Sequence, residues 1–172
     1  LPEHPVEPEP ENPVKPKKPP VKPEPFDFKV LDTATSQYYG GENVANVNIF
    51  GREKRIAPGM EGTYQFTVDN RKNRYPTLYD ITFTAIDTLP ATHKIPLCYR
   101  LKKEGAYVAG NDTTWCTPHE LYQDTVIAGE STAKYILEWY WPEGKNDNDF
   151  ATFGGKPEYS YSLIIKVTAQ RE

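Results

Sequence analysis

The chain has 172 residues, 37% hydrophobic and 13% aromatic, with a formal net charge of −4. That length fits one domain plus a tail, and so mild a charge disfavours a nucleic-acid or other polyanion partner. No run of about 18 apolar residues is present to span a membrane, and no basic-then-apolar leader opens the chain, so any signal peptide or anchor helix is expected upstream of Leu1 or already removed.

Residues 1–25 form a separate compositional zone with ten of the 17 prolines. Their acids gather in the first half (Glu3, Glu7, Glu9, Glu11) and their bases in the second (Lys15, Lys17, Lys18, Lys22). Proline fixes φ and removes a donor, which predicts a solvated polyproline II stalk reaching about 3 Å per residue. The KPKKPP run also fits, superficially, a ligand for a proline-recognition domain. A β-sandwich domain is expected over 26–172.

From Phe26 the pattern turns to strands. FDFKVL alternates Phe26, Phe28 and Val30 with Asp27 and Lys29; SQYYGGEN reads as a turn, with Gly40 and Gly41 free to take positive φ; VANVNIF places Ala45, Val47 and Ile49 on one face. The basic loop at Arg52, Lys54 and Arg55 reads as a solvated turn, with a phosphate polymer as its alternative role. GTYQFTVDN directs Tyr64, Phe66 and Val68 inward and ends in the polar turn NRKNRYP. LYDITFTAIDT follows with Tyr79, Ile81, Phe83 and Ala85, then the loop LPATHKIP, then Leu97, Tyr99 and Leu101 opposite Cys98, Arg100 and Lys102. AYVAG is expected to pair back across Lys103–Gly105. Thr117, Pro118 and Glu120 match an N-cap, a first-turn proline and a capping-box acid, predicting one short helical turn near 118–123.

TVIAGES leads to the two most regular strands. Ala133, Tyr135, Leu137, Trp139 and Trp141 share one parity, as do Tyr159, Tyr161, Leu163, Ile165, Val167 and Ala169; Ile136 and Ile164 are the apolar exceptions on the other faces. Side chains alternate faces along a strand, so a period of two describes a sheet with one apolar and one wet side. Eight or so such strands with turn signals between them predict an all-β fold: a two-sheet antiparallel β-sandwich of jelly-roll or immunoglobulin-like type.

Few residues suggest chemistry. Cys98 and Cys116 lack zinc-site spacing; they are either unpaired small core residues or one disulfide closing a hairpin-sized loop, and the disulfide is the expectation for an exported protein. His119-Glu120-Leu121-Tyr122-Gln123 starts like the zinc-protease helix, but Gln123 stands where the second histidine ligand is needed. No serine sits in an elbow or triad context, and no phosphate-cradling glycine motif occurs. The loop Asn146–Asp149 is the one candidate ion site, with Asp147 and Asp149 as carboxylate ligands for Ca²⁺; Ala151 and the missing twelfth-position glutamate depart from an EF-hand. Trp115 and Tyr140 are candidates for a sugar-stacking platform on an outer face. No other cofactor is expected, and no enzymatic activity.

The order of motifs resembles the TasA/camelysin family of exported proteins of Gram-positive bacteria. The resemblance is carried by Asp32–Thr35, the Ile56–Gly59 turn, GTYQFTVDN, CYRLKKEGAYVAGNDTTW, AGES, LEWYWPEGKNDNDFATFGG and the closing VTAQ, and covers roughly Asp32 to Gln170. It implies a secreted or cell-surface jelly-roll domain whose partners are further copies of itself or matrix components. It also implies assembly into biofilm-type fibres by donating an N-terminal strand, expected at residues 26–31, to the next subunit's sheet. The alternatives are a surface module binding glycan or host matrix, and a metallopeptidase, for which no zinc site is recognisable.

Overall fold

The computed structural model describes residues 27–40, 44–50 and 55–171. The proline-rich segment 1–25, its junction with the domain, and Arg52 and Lys54 lie outside the described residues.

Among the described residues ten strands form two antiparallel sheets. One has six strands: β1 (Lys29–Asp32), β2 (Gln37–Tyr39), β4 (Glu61–Asp69), β6 (Cys98–Lys103), β7 (Ala106–Ala109) and β9 (Thr132–Tyr140), in the order β2-β1-β4-β9-β6-β7. The other has four: β3 (Val44–Asn48), β5 (Thr77–Asp87), β8 (Gln123–Ile127) and β10 (Tyr161–Arg171), in the order β3-β10-β5-β8. The chain passes repeatedly from one sheet to the other, the winding of a jelly roll.

The alternation read from the sequence sets the core. Phe66, Val68, Tyr99, Leu101, Tyr135, Leu137, Trp139, Leu163, Ile165 and Val167 are all buried in one apolar cluster drawn from both sheets. Ile136 and Ile164, the two exceptions, are half-buried on the outer faces. Aromatic contacts tie the layers: Phe50 meets Trp139 at 5.3 Å and Tyr161 at 5.6 Å, both edge-on, the geometry the ring quadrupole favours.

Three local expectations change. SQYYGGEN is not simply a turn: Gln37–Tyr39 pair with β1, and the reversal lies at Thr33–Ser36, where Asp32 Oδ1 accepts from the Ala34 and Thr35 N–H groups. Ala85, near the end of β5, is exposed and not part of the core. Tyr159 lies before β10, its ring edge-on to Phe153 at 5.0 Å. The expected helical turn is a 3₁₀ turn at Pro118–Leu121, and two more occur at Ala91–His93 and Asp147–Thr152 within stretches expected to be loops.

Candidate functional site

The ion-site candidate folds onto its own surroundings. Asp147 Oδ1 accepts from the Gly144 N–H at 2.8 Å, closing a turn before the 3₁₀ segment Asp147–Thr152. Asp149 Oδ2 lies 3.4 Å from His93 Nε2, while Thr92 Oγ1 stands 2.9 Å from His93 Nδ1. The imidazole packs against Phe150 and Phe153, and Phe150 meets Trp141 edge-on at 5.0 Å. The aromatics and His93 thus pin the 147–152 segment to the 91–93 turn. A cleft of about 210 Å³ lies between them, lined by His93, Lys94, Trp141, Lys145, Asp147 and Phe150. Among the described residues no three His, Cys, Asp or Glu side chains are grouped as a metal would need.

The cysteines expected to form a disulfide are free. The reason is register. Tyr99 and Cys116 exchange backbone hydrogen bonds (2.9 and 2.7 Å) as directly opposed residues, so Cys116 shares the inward face of Tyr99. Cys98, one residue away on β6, faces the other side. There its Sγ donates to the Tyr140 carbonyl at 3.3 Å. Burial raises both thiols above the ordinary value.

The HExx string serves as a cap. Glu120 Oε1 accepts from Thr117 N–H and Thr117 Oγ1, and these bonds hold its carboxyl below the usual range. Leu121, the residue after it, is fully buried and fastens the turn to the core.

Trp115 and Tyr140 do come together, with ring centroids 5.6 Å apart, but not as an open platform. The Arg100 guanidinium lies over the Trp115 ring at 3.8 Å. Arg100 also donates to Glu138 Oε2 at 2.7 Å and to the carbonyls of Asn111 and Asp112, while Tyr107 Oη donates to Glu138 Oε1 at 2.6 Å. Burial alone would raise the Glu138 carboxyl; the hydrogen bonds from Tyr107 and Arg100 and the charges of Arg100 and Lys102 outweigh it and hold it low. This network fastens the 110–116 loop to the six-stranded sheet. Arg100 and Lys102 were legible as outward residues, but the β6–β9 pairing that sets Arg100 opposite Glu138 was not.

The N-terminal strand is the remaining candidate. β1 and the residue before it contribute two fully buried side chains, Val30 and Phe28, to the core although β1 pairs with β4 over only four residues. Those pairs occupy Phe66–Asp69 of β4. Glu61–Tyr64, the other half of β4, pair only with β9 among the described residues, leaving a half-edge beside β1.

No protein-family model matches the chain, and a comparison with curated proteins finds no match.

Proposed function

We propose that the chain is a non-enzymatic structural domain, displayed at the cell surface or outside the cell, that assembles with further copies by donating its N-terminal strand. This is the role its resemblance to the TasA/camelysin family implies. The observation that carries it is the segment 28–32: the four-residue strand β1 and the residue just before it, which insert Val30 and Phe28 into the core. Burying two such side chains contributes about 1.5–3 kcal/mol each, and the same contribution is available when the segment comes from a neighbouring copy. The half-edge of β4 extends the same groove, and an unpaired edge accepts a strand by pairing its backbone groups.

The test is assembly of the full chain across a concentration series, followed by sedimentation and electron microscopy. Filaments that grow with concentration, vanish when residues 1–31 are removed, and are capped by a synthetic 26–32 peptide support strand donation. A protein that stays monomeric at every concentration, or filaments indifferent to both the deletion and the peptide, overturns it.

A further inference from the structure

The cleft between the 91–93 turn and the 147–152 segment holds polar groups that the fold leaves unused. Trp141 lines it and is only 2% exposed, and its indole Nε1 is buried with no hydrogen-bond acceptor among the described residues. A buried tryptophan N–H ordinarily finds an acceptor. The ring partner of Trp141 is Phe150, edge-on at 5.0 Å, which offers none.

The free groups gather on one side of the cleft. Lys145 is exposed and has no hydrogen bond or ion pair among the described residues. The Asn146 side chain makes no capping bond to the 3₁₀ turn that follows it. Asp147 engages Oδ1 with the Gly144 N–H, which leaves its Oδ2 open. The other side is already committed. Lys94 Nζ donates to the carbonyls of Asp87 and Leu89 at 2.7 and 2.5 Å, and both ring nitrogens of His93 have partners in Thr92 and Asp149.

These unused groups define the chemistry of an occupant. Trp141 Nε1 and Lys145 Nζ donate, Asp147 Oδ2 accepts, and the Asn146 amide does both. A simple anion suits the indole and Lys145 but has nothing to donate to Asp147; a simple cation has the opposite fault. A hydroxyl both donates and accepts, so a ligand with adjacent hydroxyls satisfies both kinds of group together. Phe150 and Pro142 supply an apolar rim for C–H edges. At about 210 Å³ the cleft is smaller than drug-sized pockets of roughly 300–1,000 Å³. That is room for one sugar ring and not for a chain of them.

We propose that this cleft binds a single pyranose unit of a glycan. Asn146 and Asp147 hold adjacent hydroxyls, Lys145 donates to a further oxygen, and Trp141 Nε1 donates to the hydroxyl that enters deepest. The indole donor is covered in the free protein, so binding includes a small outward shift of the 144–150 loop. The location is distinct from the Trp115–Tyr140 pair, where the Arg100 guanidinium already lies over the Trp115 ring. The inference is independent of strand donation and is read on the monomer.

The test is a ¹H–¹⁵N spectrum of the full chain, taken as its monomer fraction. It is titrated separately with the methyl glycosides of glucose, galactose, mannose and N-acetylglucosamine, and with acetate and phosphate as anion controls. The three tryptophans give three indole signals; Trp115→Phe identifies one, and proximity to the Phe150 ring separates Trp141 from Trp139. The expected result is a saturating shift of the Trp141 indole N–H and the 144–150 amides with at least one glycoside, while Trp115 stays still. Lys145→Ala and Asp147→Asn are each expected to weaken that binding about tenfold, through loss of a charge-assisted hydrogen bond. Both variants keep the fold, since Lys145 is exposed and an amide oxygen at 147 still accepts from the Gly144 N–H. No shift with any glycoside, a shift that never saturates, or an equal shift with acetate or phosphate overturns the proposal. So does a shift centred on Trp115, or undiminished binding in both variants.

Discussion

Tyr79 Oη and Tyr135 Oη meet at 2.5 Å in the interior, one phenol from β5 and one from β9, so a single hydrogen bond joins the two sheets through the core. Tyr99 and Tyr161 form a second such link at 2.6 Å between β6 and β10. Each pair satisfies two hydroxyls that burial would otherwise penalise. Tyr79→Phe or Tyr135→Phe alone strands the remaining hydroxyl and is expected to cost about 1–3 kcal/mol. The double variant is expected to cost clearly less than the sum, because the two residues act as a unit. Urea unfolding of the two singles and the double checks the coupling, and additive losses would contradict it.

The same phenols set the alkaline limit. Burial raises Tyr79, Tyr99, Tyr135 and Tyr161 above the ordinary phenol value. Below the unfolded pKa of about 10 both states keep these protons and stability does not depend on them. Above it the unfolded phenols ionise while the folded ones do not, so the unfolded state binds fewer protons and stability falls as pH rises toward the folded values. Melting temperature against pH is expected to drop from about pH 10 upward, with a shallower drop in the Tyr79→Phe/Tyr135→Phe variant.

Gly62 is a close-packing position. It sits opposite Trp139, and a Cβ built there would fall 2.6 Å from the Trp139 ring. Gly62→Ala is therefore expected to destabilise by about 1–3 kcal/mol through overpacking, despite the strand context that ordinarily favours alanine over glycine. Equal or raised stability on thermal unfolding would refute that packing.

Both thiols are expected to titrate without reductant once the protein is unfolded. In the native state Cys98, half-buried, should react before Cys116, and both slowly at neutral pH because burial disfavours the thiolate. A protein that yields thiols only after reduction would contradict the register that separates them.

Asn70 carries a buried polar hub. Its amide donates to the carbonyls of Tyr75 and Ala128, and its Oδ1 accepts from Thr77 Oγ1 and Asn73 Nδ2, all at a residue with no exposed surface. Asn70→Ala leaves four groups without this partner and is expected to cost about 2–3 kcal/mol or more. It should also loosen Asp27, which Asn73 holds, seen as faster amide exchange at Asp27 than at β9.

The amino-acid sequence by itself determined what depends on near neighbours. Period-two alternation marked the inward faces of β4, β6, β9 and β10, since a strand's side chains point by parity alone. The Thr117–Glu120 cap was legible because its partners are three residues apart. It could not determine which strands lie side by side. NRKNRYP reads as a polar turn, yet Asn70 within it is buried, because its partners at Ala128 and Thr77 come from other elements. Cys98 and Cys116 look like a disulfide until Tyr99 pairs with Cys116 and sends the two sulfurs to opposite faces. Trp115 looks like an open stacking surface until β6 brings Arg100 over its ring. Pairing energies between distant segments, and not local sterics, decide such placements, so the tertiary structure alone set where each polar group found its partner.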